Sequence, residues 1–170
     1  FPVIGMETNR ARVDSINLGV SYIQEVASER LSALTVSHQG GSPDSGIEAH
    51  LQAGEKGLVA TDDYDALRTA DIAIICVPTP LGKTKDPDVS FIVSAADEIS
   101  KRLHRGMLVV LESTTYPGAT EELILPHLRG QPGDRLDVGA DYFLAFSPER
   151  VDPGQTTWTV GIPVHWGFVG

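Results

Sequence analysis

The sequence predicts a doubly wound α/β fold, and three observations carry that prediction. The first is Asp71–Pro80, DIAIICVPTP, where Ile72–Val77 is an unbroken apolar run that stops at Pro78-Thr79-Pro80. A short run rich in β-branched residues, with no polar alternation, reads as a strand buried on both faces. Two prolines end it, because neither can donate to a central ladder. The second is repetition: Met107–Leu111 (MLVVL) and Asp141–Phe146 (DYFLAF) are further apolar runs, each ending in a polar loop. The third is the stretch between two of them, where Val89, Ile92, Val93, Ala96, Ile99 and Leu103 fall on one helical face. Strands alternating with helices in this way form a parallel sheet with right-handed crossovers and helices on both faces.

Along the chain, Phe1–Met6 reads as the end of a strand, followed directly by Glu7. Asn9 is placed to cap a helix over Arg10–Leu18, with Val13 and Ile16 inward and Gly19 as its stop. Ser21–Ala60 is the least legible part. Ala27–Val36 and Gly46–Ala53 have helical character, and Ser37–Ser45 (SHQGGSPDS) is a loop by composition. His38 and His50 have no metal-like spacing with Cys or acidic residues, and no metal is expected. Thr61 or Asp62 caps a short helix through Leu67. Asp88 or Ser90 starts the long helix, whose last turn is expected to hold Lys101, Arg102, His104 and Arg105 before Gly106. A further helix is expected from Ala119 to Leu128, and Gln131–Gly139 reads as a loop.

The chain has 170 residues, 41% apolar and 21% charged, enough to bury one ordinary core. A net charge of −10 argues against nucleic acid and anionic membranes as main partners. It leaves room for an anionic small ligand, which loops and helix N-termini can bind locally. Cys76 is the single cysteine, so no internal disulfide can form, and a reducing, cytoplasmic setting is expected. Its place inside an apolar run predicts an inert core residue. No apolar run approaches transmembrane length.

In doubly wound sheets ligands bind beyond the carboxyl ends of the strands. The stiff Pro-Thr-Pro loop is therefore a candidate contact. Glu7 sits where a carboxylate would accept hydrogen bonds from the hydroxyls of an adenosine ribose and repel a 2′-phosphate, favouring NAD over NADP. The bland alternative is a helix-start acid that only complements the dipole.

Three motifs, ICVPTP (Ile75–Pro80), LESTTYPG (Leu111–Gly118) and FSPERVDPG (Phe146–Gly154), each at a strand end, together resemble the UDP-glucose/GDP-mannose dehydrogenase family of nucleotide-sugar 6-dehydrogenases. The form ESTTYPG with SPERVDPG is similar to the branch acting on UDP-N-acetylglucosamine or UDP-N-acetylmannosamine. The resemblance implies a Rossmann-like NAD-binding domain and a four-electron oxidation. A sugar C6 alcohol passes to the aldehyde, to a thioester on a cysteine, and by hydrolysis to the uronic acid, with two NAD consumed.

Residue by residue, the resemblance puts Glu7 at the ribose-binding acid and Arg12 on the adenosine side. Val77, Pro78, Thr79 and Pro80 supply backbone contacts to the dinucleotide. Ser113 and Thr114 fall near the nicotinamide, with Thr114 orienting water. Glu149 falls at the carboxylate of the hydrolytic step, and Glu149 and Arg150 on the substrate side. Physical chemistry agrees for two of these: a hydroxyl such as that of Thr114 can donate to a developing oxyanion or hold a water. A carboxylate such as Glu149 can act as general base through a water. Equally, Thr114 could only close a turn and Glu149 only pair with Arg150.

The resemblance also implies a glycine-rich phosphate loop and its strand ahead of Phe1, and a catalytic cysteine after Gly154. The chain then reads as a fold truncated at both ends. Residues 1–154 form part of an NAD-binding domain, and 155–170 are a divergent tail toward a central helix and substrate domain. The expected partner of the full-length protein is a UDP-sugar, and the expected assembly a homo-oligomer. Two other readings stay open at this point: a non-catalytic NAD-binding module, and a β-hydroxyacid-type dehydrogenase.

Overall fold

The computed structural model describes residues 1–36, 56–82, 87–129, 136–147 and 167–169. They divide into two units, Phe1–Ala66 and Leu67–Gly170.

In the first unit β1 (Pro2–Met6) pairs in parallel with β2 (Gly57–Thr61), from Pro2↔Gly57 to Met6↔Thr61. The helix α1 (Arg10–Asn17) begins because the Asn9 side chain accepts the Ala11 N–H at 3.0 Å. It ends in a Schellman turn, with the Gly19 N–H on Ile16 O at 2.8 Å and the Val20 N–H on Ser15 O at 2.9 Å. Gly19 has φ +70°, and a Cβ there would meet Ser32 Cβ at 2.7 Å, so both conformation and space demand glycine. Val13 is the buried residue of α1.

β2 was not foreseen within the illegible stretch. The outer edge of β2 is closed by backbone and side chain alike. Asn17 accepts the Ala60 N–H at 2.7 Å and donates to Ala60 O at 2.9 Å. The Leu58 N–H donates to Leu34 O at 2.7 Å, and Leu58 O accepts from the Val36 N–H at 3.1 Å. That pairing also corrects the helix expected over Ala27–Val36: α2 covers only Ser28–Ser32, because the β-branched pair Thr35-Val36 is drawn into the sheet. The expected helix over Gly46–Ala53, the loop Ser37–Ser45, His38 and His50 lie outside the described residues. The short helix expected up to Leu67 is a 3₁₀ turn, Tyr64–Thr69; Thr61 Oγ1 accepts the Asp63 N–H at 3.0 Å ahead of it.

In the second unit β3 (Ile72–Ile75), β4 (Leu108–Leu111) and β5 (Phe143–Phe146) run parallel and in register, and β6 (Gly167–Val169) joins β5 antiparallel. The helix α3 (Ser90–Ser100) buries Ile92, Ala96 and Ile99 and packs against β3 and against α4 (Leu125–Leu128). Val109, Val110, Leu111, Leu144 and Ala145 fill the sheet's interior. The doubly wound expectation is met by parallel strands and crossover helices. Within residues 155–170, β6 makes the second sheet mixed.

Three further expectations are corrected. The run Ile72–Val77 is not buried on both faces. Ala73 and Ile75 are buried on one face, but Ile72 and Ile74 on the other are 55% and 50% exposed, so among the described residues only one face of β3 is covered. Cys76, just beyond β3, is exposed and is not a core residue. The helix α3 stops at Ser100, so the basic run lies past its end. Arg102 Nη1 still donates to the helix carbonyl Glu98 O at 3.2 Å, and three of these side chains find carboxylates. Lys101 Nζ and Arg102 Nη1 reach Glu98 at 2.5 and 2.7 Å and hold its carboxyl below the ordinary value, while Arg105 pairs with Asp141. The helix expected over Ala119–Leu128 opens as a wide π turn, Thr120–Ile124, before α4. Pro126 has no N–H to donate one turn back, and the wider turn accommodates that loss.

Tyr142, directly before β5, is fully buried, and its hydroxyl has no partner among the described residues. Burial raises its pKa above the ordinary phenol value. A raised folded-state value means a contribution fully present below the unfolded pKa of about 10 and lost as the pH climbs through the folded value. Tyr142→Phe is expected to stabilise the fold by about 1 kcal/mol at neutral pH by removing an unpaired buried hydroxyl. It should also blunt alkaline unfolding. Urea titrations at neutral pH and near pH 11 check both; a variant no more stable than the parent at either pH removes the argument.

Candidate functional site

The carboxyl ends of the strands collect the polar residues in each unit. In the first, the Glu7 N–H donates to Thr61 O at 3.0 Å, so the ladder itself fixes Glu7 at the end of β1. Its Oε1 accepts the Asn9 N–H at 2.9 Å, and its Oε2 lies 3.4 Å from Arg12 Nη1. The carboxylate is thus aimed by the first turn of α1, beside the positive end of that helix. Arg12 in turn lies over the Tyr22 ring, its Cζ 5.2 Å from the centroid. Arg10 pairs with Asp62 at 2.9 Å and Asp14 at 3.3 Å, which leaves Glu7 to Arg12. A carboxylate held this way can still accept from a vicinal pair of hydroxyls, since each oxygen has a second lone pair.

In the second unit Val77, Pro78, Thr79 and Pro80 leave the end of β3, with Val77 and Thr79 half-buried and both prolines exposed. Ser113, beyond β4, is buried and donates its hydroxyl to Val77 O at 2.8 Å. That bond ties the loop after β4 to the loop after β3. Thr114 is exposed. Thr115 Oγ1 and Ser147 Oγ, after β4 and β5, are buried with no partner among the described residues. Ser147 is fixed by its N–H on Leu111 O at 3.0 Å. A buried hydroxyl left without a partner costs free energy, so groups of this kind at a strand's carboxyl end are where a ligand or water would be accommodated. Glu149 and Arg150 lie outside the described residues.

The structure therefore brings Glu7 together with Arg12, and Val77 together with Ser113; the two pairs belong to different units. Sequence reasoning missed Tyr22, Thr115 and Ser147. The doublet Thr114-Thr115 and the first residue of the SPERVDPG motif were available signals, whereas nothing in the sequence links Tyr22 to Arg12. An apolar hollow of about 360 Å³ lined by Phe1, Val3, Leu34, Lys56, Gly57 and Leu58 lies at the amino ends of β1 and β2. That is the wrong end of a parallel sheet for a dinucleotide.

Residues 1–160 match the profile of the UDP-glucose/GDP-mannose dehydrogenase family, NAD binding domain. Among curated proteins, the chain is 33% identical over 153 residues to UDP-N-acetyl-D-glucosamine 6-dehydrogenase of Pseudomonas aeruginosa, covering 90% of this chain and 31% of that protein. It is 31% identical over 157 residues to protein CapL of Staphylococcus aureus, covering 92% of this chain and 31% of that protein. Among solved structures, the UDP-D-ManNAc dehydrogenase of Pyrococcus horikoshii superposes with a TM-score of 0.65 at 33% identity, over 89% of this chain and 31% of the other. The chain thus spans about a third of the length of these relatives. Among the described residues no helix is long and apolar enough to cross a membrane.

Proposed function

This chain belongs to the UDP-glucose/GDP-mannose dehydrogenase family, and from that premise we propose that the protein carrying it oxidises the C6 alcohol of a UDP-N-acetylhexosamine to the uronic acid. The observation that carries the reading is the Glu7 carboxylate, fixed at the end of β1 by the Asn9 N–H and Arg12 in a domain of the NAD-binding class. The names of the relatives, acting on UDP-N-acetylglucosamine and UDP-N-acetylmannosamine, support the substrate class. A cytoplasmic location and a homo-oligomeric assembly belong to the same proposal.

NAD, when bound, accepts the hydride that leaves C6. Glu7 holds the adenosine ribose through its hydroxyls and Arg12 lines the adenosine side. Backbone groups of Val77, Pro78, Thr79 and Pro80 face the dinucleotide, and Ser113 keeps that loop in place through Val77 O. Thr114 donates to the oxygen on which charge develops, or orients the attacking water. Glu149 takes the proton of that water in the hydrolytic step, and Arg150 pairs with the substrate side. Overall, one water enters, two hydrides depart to two NAD, and protons balance the carboxylate that forms. The glycine-rich loop and the nucleophilic cysteine are assigned to parts of the longer protein beyond this chain.

The test is the stoichiometry of the whole protein with UDP-N-acetylglucosamine and UDP-N-acetylmannosamine, followed at 340 nm with product analysis. Two NADH for each uronate are expected with one of the sugars. Release of a single NADH with an aldehyde product, or no turnover of any UDP-hexosamine, would contradict the proposal.

A further inference from the structure

Arg12 is held from two sides. Glu7 Oε2 lies 3.4 Å from its Nη1, and the guanidinium carbon sits over the Tyr22 ring, 5.2 Å from the centroid. The arrangement is built by the local fold. The Schellman turn at Gly19-Val20 folds the chain back after α1. Ser21 then pins the next segment: its N–H donates to Ser28 Oγ at 3.0 Å, and its own hydroxyl accepts the Ile23 N–H at 3.1 Å. Tyr22 sits between those anchors. Even so, the Arg12 side chain is 54% exposed and Tyr22 46% exposed, and Leu18, Val20 and Ile23 are exposed around them. A planar cation with one face on an aromatic ring keeps its other face for a second π system.

We propose that Tyr22 is a positioning residue for cofactor binding: it holds the Arg12 guanidinium flat, so that the adenine ring of the dinucleotide stacks on the guanidinium face away from Tyr22 while its ribose reaches Glu7. This inference rests on the NAD reading above. It assigns the adenine half of the cofactor to a three-residue relay, Glu7–Arg12–Tyr22, and leaves the nicotinamide half untouched by Tyr22. Stacking on an aromatic or guanidinium plane tolerates changes in the ring's polar edge, so the hydroxyl of Tyr22 has no role in it.

The experiment compares the whole protein with its Tyr22→Ala and Tyr22→Phe variants, using ADP-ribose and nicotinamide mononucleotide as separate probes of the two halves, with a thermal melt of each variant alongside. ADP-ribose is expected to bind roughly two- to fivefold more weakly to Tyr22→Ala, and to Tyr22→Phe as to the parent. Nicotinamide mononucleotide should bind all three alike, and the KM for NAD should rise in Tyr22→Ala with kcat unchanged. Equal binding of ADP-ribose to Tyr22→Ala and the parent would overturn the inference while leaving the NAD reading intact. Equal weakening of both probes, or loss in Tyr22→Phe as well, would also overturn it, by assigning Tyr22 a general structural role or a hydroxyl contact. A parent that binds no ADP-ribose at all would instead overturn the NAD reading, and this inference with it.

Discussion

Glu149→Gln in the whole enzyme is expected to lower kcat by roughly 10²–10⁴-fold, the range in which a positioned proton acceptor contributes. Glutamine keeps the size and much of the hydrogen bonding of the side chain but cannot take a proton. Glu149 follows Ser147 by two residues, and Ser147 is anchored at the end of β5 by Leu111 O. If its role is the hydrolytic step, rapid mixing should show a burst of NADH from the hydride transfers, then a stall with the acyl group on the enzyme. Turnover within a few-fold of the parent would remove the role. A missing burst would move Glu149 to an earlier step.

Leu111→Ala is expected to destabilise the fold by about 3 kcal/mol. Leu111 is completely buried at the end of β4, in register with Ile75 on one side and Phe146 on the other, so the cavity would open at the centre of three parallel strands. Strands paired on both edges cannot move in to fill it, and interiors packed to this density respond to the loss of a few methylenes. Leu81→Ala is the control: Leu81 is largely exposed, and a change of under about 0.5 kcal/mol is expected there. Urea unfolding of the two variants measures the difference, and similar midpoints for both would refute the core assignment. Because Leu111 O also receives the Ser147 N–H, a distorted β4 should weaken activity as well as stability.

The parts of the fold that were legible are those whose signal is local. The N-cap at Asn9, the stop at Gly19 and the helical face of Ile92, Ala96 and Ile99 all follow from interactions within a few residues. The Ile72–Val77 run was legible as a strand but not as an edge. Apolar side chains on both faces report composition, and whether a neighbour covers each face is a property of the whole sheet. β2 was illegible for a related reason: Gly57–Thr61 is short, and its edge is satisfied by Asn17, Leu34 and Val36, residues far away in the chain. At the candidate site Glu7 was legible from its place directly after a strand-like run, and Arg12 only through the family resemblance. Tyr22 was not, because only the reversal at Gly19 and the Ser21–Ser28 bond bring it over Arg12.

The position of β3 at its sheet's margin has a consequence for handling the molecule. Asp71 O and Ile75 O face β4 through the Leu108 and Glu112 N–H groups, so the alternate peptides at Ile72 and Ile74 turn outward. Among the described residues that border is unpaired and bears exposed isoleucines, and a border of this sort is a template to which a further strand can add. A lysine in place of Ile74 is the kind of gatekeeper that natural sheets use to stop such addition.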